Sequence, residues 1–174
     1  MTLFTPLQRR LYRKPIRLTG AEVFKFLNDL FEERLTRHAV ALEATPRFKR
    51  YGFTGFPSTF YPVFVNLVDN GVFWLRQSAK PRTIRLDVDG DRMVIANSGP
   101  PIAARDREAI FELGFTRKPG GRGLGLHISR EVLRKEGYSL DLVEPPASFG
   151  VAFQIQPAPE EGIESRRKGR SGTR

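Results

Sequence analysis

Between Gly114 and His127 the sequence GFTRKPGGRGLGLH places five glycines, two arginines and a lysine in fourteen positions. A string of this composition serves as a flexible linker, a nucleic-acid clamp or a cradle for phosphate groups. Its position favours the third. Gly121-Arg122-Gly123-Leu124-Gly125-Leu126 stands immediately before a segment whose Leu126, Ile128, Val132 and Leu133 are compatible with one buried helical face. Glycines there let the backbone approach a ligand closely, and the free amides of a helix start attract anions. The string is neither GxxxxGK(S/T) nor a complete GxGxxG, because the lysine precedes the glycines and Leu126 stands where the next glycine belongs. What it does therefore depends on its partners.

The partners lie upstream. In YPVFVNLVDNGVFWL, Asn66 and Asn70 are four residues apart and share a helical face, with Phe73 and Trp74 one turn further on. Amides on an otherwise apolar helix cost about 1–3 kcal/mol for each group left unsatisfied, so they serve either a ligand or neighbouring backbone. Next, Ile95-Ala96-Asn97-Ser98-Gly99-Pro100-Pro101-Ile102 ends an apolar run in a tight turn, which by composition alone is an ordinary turn.

Periodicity supplies the elements that hold these residues. Pro15 to Leu18 is a short extended lead-in, and Ala21 to Arg37 reads as a helix with Thr19 as N-cap and Glu22 completing a capping box. Ala39 to Ala44 alternates like a strand, and Gly52, Gly55 and Pro57 break the chain beyond it. A second helix, capped by Ser58 or Thr59, runs to about Gln77 and is apolar on nearly all sides, which predicts burial. Ile84–Val88 and Met93–Ala96 read as strands joined by a turn at Asp89-Gly90-Asp91. A short helix near Arg105 to Phe111, a helix from about Leu124 to Lys135, and a hairpin pairing Ser139–Val143 with Gly150–Gln156 complete the chain. Helices and antiparallel strands in this order predict a two-layer α/β sandwich.

The 174 residues, 40% of them hydrophobic, fit one domain with room for one site. Its expected limits are residues 15–157, with 1–14 an N-terminal extension that is the remnant of an upstream segment and 158–174 a disordered basic tail. No cysteine is present, which excludes disulfides and thiolate zinc sites, and two histidines argue against a structural metal. No apolar run approaches the ~20 residues that span a bilayer, so the segment is expected to be soluble, cytoplasmic and without membrane contact. The net charge of +10 admits nucleic acid, acidic lipid or an anionic nucleotide. Part of it sits in the terminal SRRKGRSGTR and around Arg9 to Arg17, which reads as solvated charge ahead of a nucleic-acid contact.

The order of the pieces is more telling than any one of them. An asparagine pair on a helix, then strand-NSGPPI, then IFELGFTRKPGGRGLGLHISREVL, then SFGVAFQIQ resembles the four sequence boxes and closing strand of the GHKL ATPases. That superfamily comprises gyrase-type topoisomerases, heat-shock chaperones, histidine kinases and mismatch-repair proteins. The chain looks most like the catalytic ATP-binding domain of sensor histidine kinases, over about Pro15 to Gln156. The resemblance implies the Bergerat fold, a mixed, mostly antiparallel sheet covered on one face by helices, with ATP held between helices under a mobile lid.

Carried onto this chain, the resemblance implies that Asn70 is the Mg2+ ligand and that Asn66, one turn earlier, faces the phosphates. Asn97 stands where the family has an aspartate that accepts a hydrogen bond from the adenine amino group, a bond its amide oxygen can also accept if so oriented. Gly99 lets the base approach, Ile102 lies beside it, and Pro101 replaces a common glycine. Ala103 to Gly120 forms the lid, with Phe111 and Phe115 as packing anchors. Thr116, Arg117 and Lys118 face the phosphates, and Gly121, Gly123 and Gly125, with Leu124 and Leu126, form the cradle. Arg122 adds a charge-assisted contact to the γ-phosphate. Phe73 replaces a phosphate-contacting lysine or arginine, a loss that Arg76 or the lid cations offset.

Hydrolysing members of the superfamily place a glutamate where this chain has Asn66, and an amide is no general base at neutral pH. The resemblance therefore implies a kinase module, with Asn66, Lys118 and Arg122 around the transferred phosphate. Neither His38, followed by alanine, nor His127, followed by isoleucine, matches the kinase acceptor motif. The acceptor histidine is expected on a dimerisation domain upstream or in trans, with a response-regulator-like receiver after it. An ATP-gated clamp and a regulatory module that has lost catalysis are the other readings.

Overall fold

The computed structural model describes residues 14–158; the expectations for the N-terminal extension before residue 14 and for the basic tail after residue 158 lie outside the described residues. Strand β1 (Ile16–Thr19) ends in the residue that caps helix α1 (Gly20–His38). The capping box forms as expected: Thr19 Oγ1 accepts from the Glu22 amide at 3.3 Å, and Glu22 Oε2 accepts from the Thr19 amide at 2.9 Å. Val23, Leu27, Phe31 and Leu35 recur every four residues and form the buried face of α1.

Residues 45–55 do more than the sequence suggested. Thr45 caps a five-residue helix α2 (Pro46–Arg50), and strand β3 (Gly52–Gly55) then pairs antiparallel with β1, Ile16 opposite Gly55. Helix α3 (Pro57–Leu75) begins differently from expectation: its N-cap is Phe56, with no side-chain bond, and neither Ser58 nor Thr59 caps it. Pro57 occupies the first helical position, where its missing N–H costs nothing. Phe60, Val63, Phe64, Leu67, Val68, Val72 and Leu75 bury α3 on most sides, which makes it the central helix.

The main sheet has five strands in the order β2 (Ala41–Ala44), β4 (Thr83–Asp89), β5 (Arg92–Asn97), β7 (Val151–Pro157), β6 (Tyr138–Val143). Only β2 and β4 pair in parallel; the other three pairings are antiparallel. Opposed pairs Leu86–Ile95, Ile95–Phe153 and Leu140–Ile155 are buried on one face, against the helix layer of α1, α3 and helix α4 (Gly125–Lys135). The two-layer sandwich with a mixed, mostly antiparallel sheet is thus the fold. Alternation along β5 puts Met93, Ile95 and Asn97 on the same face. The last of these therefore points from the sheet's end into the helix layer.

Two details of the region from Ser98 to Leu124 differ from expectation. The short helix near Arg105 to Phe111 is a pair of 3-10 turns, Ala104–Asp106 and Ala109–Phe111. The buried face of α4 is carried by Ser129 and Leu133, with Leu126 and Val132 packed beside them, whereas Ile128 is 48% exposed. No described helix is long and apolar enough to cross a membrane.

Candidate functional site

A cavity of about 710 Å³ lies between α3, the end of β5 and the start of α4, roofed by residues 100–123. Ala109–Phe111 anchors that roof: Phe111 is buried edge-on to Phe153, and its carbonyl accepts from His127 Nδ1 at 3.0 Å. The bond places the proton of His127 on Nδ1 and gives the ring a structural task. Arg130 stacks over the same ring, its guanidinium 4.2 Å from the Phe111 ring centre and hydrogen-bonded to Asp141.

The floor is α3. Asn70 lines the cavity, and its amide has no hydrogen-bond partner among the described residues. Asn66 is committed on one side: its Nδ2 donates to Ser129 Oγ at 3.1 Å and reaches the Gly125 carbonyl at 3.5 Å. Both bonds tie α3 to the first turns of α4. That helix starts without a side-chain cap, at Leu124, so its leading amides are open to the cavity.

Two of the three expected cations, Lys118 and Arg117, are held by protein groups. Lys118 Nζ lies 3.7 Å from Asp69 Oδ2 and 4.7 Å from the Phe73 ring centre. Burial pushes the Lys118 pKa down, against the attraction of Asp69. Asp69 also accepts from Arg34 Nη1 at 2.6 Å, which joins α1 to the same cluster. Arg117, expected to face the phosphates, instead donates twice to Asp106 within the roof, at 2.8 and 3.2 Å, and holds that carboxyl below its ordinary range. Arg122 is exposed at the mouth.

Of the residues singled out from sequence, Asn66, Asn70, Asn97, Ile102, Phe115, Thr116, Arg117, Lys118 and Gly121 to Leu126 all line this one cavity. Gly99 does not. It sits behind Asn97, donating its amide to Asn97 Oδ1 at 3.0 Å, and a Cβ there would stand 2.8 Å from that oxygen. The Asn97 oxygen expected to meet a base thus already accepts one bond, from the Gly99 amide. Gly123 has φ +65°, and its carbonyl accepts from the Gly114 amide at 3.0 Å; it closes the roof tip rather than simply exposing backbone. Trp74, placed one turn beyond Asn70, lines the cavity as well, and so do Asp69, Asp106, Ile110 and Val151, which were not singled out. Asp69 could have been found, since it is adjacent to Asn70 on α3.

Comparison with known proteins places these features in a family. The profile described as histidine kinase-, DNA gyrase B-, and HSP90-like ATPase matches residues 55–164. Sensor protein ChvG of Agrobacterium fabrum is 31% identical over 97 residues, covering 51% of this chain and 16% of its own length. The chain thus spans about a sixth of that curated relative. Among solved structures, the mycobacterial sensor histidine kinase MprB superposes with a TM-score of 0.63 at 26% identity, over 83% of this chain and 99% of that one. The catalytic domain of histidine kinase ThkA gives 0.68 at 24% identity, over 83% and 95%, a likeness of fold; ThkA has also been solved in complex with response regulator protein TrrA.

Proposed function

Because the chain belongs to the histidine kinase-, DNA gyrase B-, and HSP90-like ATPase family, with the fold of a histidine kinase catalytic domain, we propose that it binds Mg-ATP and donates the γ-phosphate to a histidine outside this chain. The observation that carries this is the cavity itself: an unpartnered Asn70 amide on α3 faces the uncapped start of α4 across a space sized for a nucleotide. The Asn70 oxygen is a hard, neutral donor of the kind magnesium accepts, and among the described residues no cluster of three His, Cys, Asp or Glu offers a rival metal site. When bound, magnesium would supply charge neutralisation to the phosphates. Thr116, Lys118 and Arg122 and the α4 amides would orient the triphosphate, while the roof excludes water.

Transfer is favoured over hydrolysis by Asn66. Its amide is tethered to Ser129 and has no basic atom to activate water. The acceptor's imidazole nitrogen would instead attack the γ-phosphorus as the bond to the bridging oxygen breaks and ADP leaves. His127 is engaged with the Phe111 carbonyl, and His38 is the last residue of α1, with its own carbonyl bonded to Arg82. The engaged ring of His127 supports an acceptor on a dimerisation domain upstream or in trans. A receiver like the partner of ThkA would follow in the cytoplasm. The test is incubation with γ-labelled ATP, magnesium and a purified acceptor domain from a sensor kinase. Acid-labile label on that domain is expected; label released only as inorganic phosphate would refute transfer.

A further inference from the structure

Asp69 stands where α1, α3 and the roof meet. It lies four residues before Phe73 on α3, so the two share a face. The Lys118 ammonium sits between them, 3.7 Å from Asp69 Oδ2 and 4.7 Å from the Phe73 ring centre. The other carboxylate oxygen belongs to α1: Arg34 Nη1 donates to Oδ1 at 2.6 Å, and its guanidinium lies 5.4 Å from the ring centre of the buried Phe31. The two contacts are unequal. The first has the length of a charge-assisted hydrogen bond, whereas 3.7 Å is too long for one and leaves an ion pair alone. Arg34 is therefore the principal partner of the carboxylate, and Lys118 the second.

The backbone of Lys118 is held on both sides, its amide donating to Thr116 Oγ1 at 3.0 Å and its carbonyl accepting from the Gly121 amide at 2.9 Å. Only the side chain has to turn for the ammonium to leave Asp69 and meet an anion in the cavity, which Asp69 and Lys118 line and Arg34 does not. The cost of that turn depends on what Asp69 keeps. Among the described residues, Arg34 and Lys118 are its two ion-pair partners. With Arg34 in place the carboxylate stays paired after Lys118 goes; without it, Lys118 would leave a charge with no cation beside it. Burial first, and then the charges of Arg34 and Arg76, hold the Lys118 pKa below its ordinary value against the pull of Asp69. We infer that Arg34 is a positioning residue for nucleotide binding: from outside the cavity it keeps Asp69 paired and so frees Lys118 for the triphosphate. This rests on the nucleotide reading of the cavity and adds a residue of α1 to it.

The experiment compares the full wild-type chain with Arg34→Met, which keeps a long side chain beside Phe31 and removes the charge, with Asp69→Asn, and with the double variant. Two quantities are measured on each, beside a thermal melt: the dissociation constant of Mg-ATP by calorimetry, and hydrogen exchange of the amides of residues 114–123 in nucleotide-free protein. Arg34→Met is expected to weaken Mg-ATP about threefold and to slow roof exchange by a similar factor, because Lys118 then ties the roof to α3 more firmly. In the Asp69→Asn background the same substitution is expected to change neither. A merely structural defect would speed exchange, and the plain loss of a positive charge would weaken binding equally in both backgrounds. Either result, or no change in either quantity, overturns the role of Arg34 and leaves the nucleotide site intact. Absence of ATP binding by the wild type overturns the nucleotide reading, and the inference with it.

Discussion

Gly123 and Gly125 are two residues apart in one glycine-rich string, yet replacing each by alanine should have opposite consequences. Gly123 adopts φ +65°, and a Cβ there would lie 2.4 Å from the Gly114 carbonyl carbon and the Phe115 oxygen. The left-handed conformation alone costs an alanine about 1–2 kcal/mol. The overlap is with backbone, so no rotamer relieves it, and the 3.0 Å bond from the Gly114 amide to the Gly123 carbonyl must break. A cost of about 2 kcal/mol or more falls on closure of the roof tip, a shift of roughly thirtyfold in its closed population. Gly125 opens α4 with an ordinary φ, and a Cβ there would meet only Asn66 side-chain atoms at 3.8–3.9 Å. Alanine there gains helix propensity worth up to ~1 kcal/mol. Hydrogen exchange of the amides of residues 114–123 in nucleotide-free protein, read beside the thermal melt, separates the two. Gly123→Ala should accelerate exchange about thirtyfold, with the melt lowered by no more than a few degrees. Gly125→Ala should leave exchange unchanged and hold or raise the melt. Wild-type exchange in Gly123→Ala, or identical behaviour of the two variants, would refute the assignment of Gly123 as the closure point.

The other perturbations act on charge and on the α3 amide. Asp87 accepts from Arg47 through both oxygens, and from Thr45 and the Val88 amide, which holds its pKa at about 2 against an ordinary 3.8. Because the folded value is the depressed one, its stabilisation is whole above the ordinary carboxylate range and is lost as pH falls from about 4 through 2, amounting to ~1–2 kcal/mol after screening at the exposed Arg47. Asp87→Asn should therefore lower the melt by several degrees at pH 7, with the difference shrinking at pH 3. Asp69→Asn removes the carboxylate that holds Lys118 and lines the cavity. It should tighten nucleotide binding up to about fivefold at fixed magnesium, measured by calorimetry; weakened binding would place Asp69 among the groups that hold the ligand. Asn70→Ala should abolish the magnesium-dependent part of nucleotide binding with an unchanged melt, and equal affinity with and without magnesium in the wild type would contradict that role.

Long-period patterns were legible in the sequence because they report burial directly. The helices α1, α3 and α4, the β4–β5 and β6–β7 hairpins and the Thr19–Glu22 box all follow from apolar spacing and capping chemistry. Residues 45–55 were opaque for a physical reason. A five-residue helix and a four-residue strand have too few positions to show a period, and β3 exists through its pairing with β1, more than thirty residues earlier. The site was legible as an inventory, since fourteen of the fifteen expected binding residues line one cavity, but its hydrogen bonds were not. Composition could not say that Arg117 would be taken by Asp106, nor that Gly99 would claim the Asn97 oxygen. Both depend on which of two competing partners lies within 3 Å.

Phe73 shows what such a competition can do. Its position on α3 would, by resemblance, carry a cation to the phosphates; here its ring carries Lys118 of the roof at 4.7 Å and Arg76, the C-cap of α3, at 4.4 Å. A lysine on α3 is fixed by the core whether or not the roof is ordered. Lys118 belongs to the roof, between the Gly114 amide and the Gly123 carbonyl that close its tip, and reaches the cavity floor only while that loop is closed. If the cavity holds phosphate as proposed, a cation on the loop would make that binding conditional on loop order, whereas a cation built into α3 would not. Substituting Gly123 and substituting Lys118 should then weaken nucleotide binding through the same contact, so that the double variant loses little more than either single one. Additive losses would mean that loop closure and the Lys118 charge act independently.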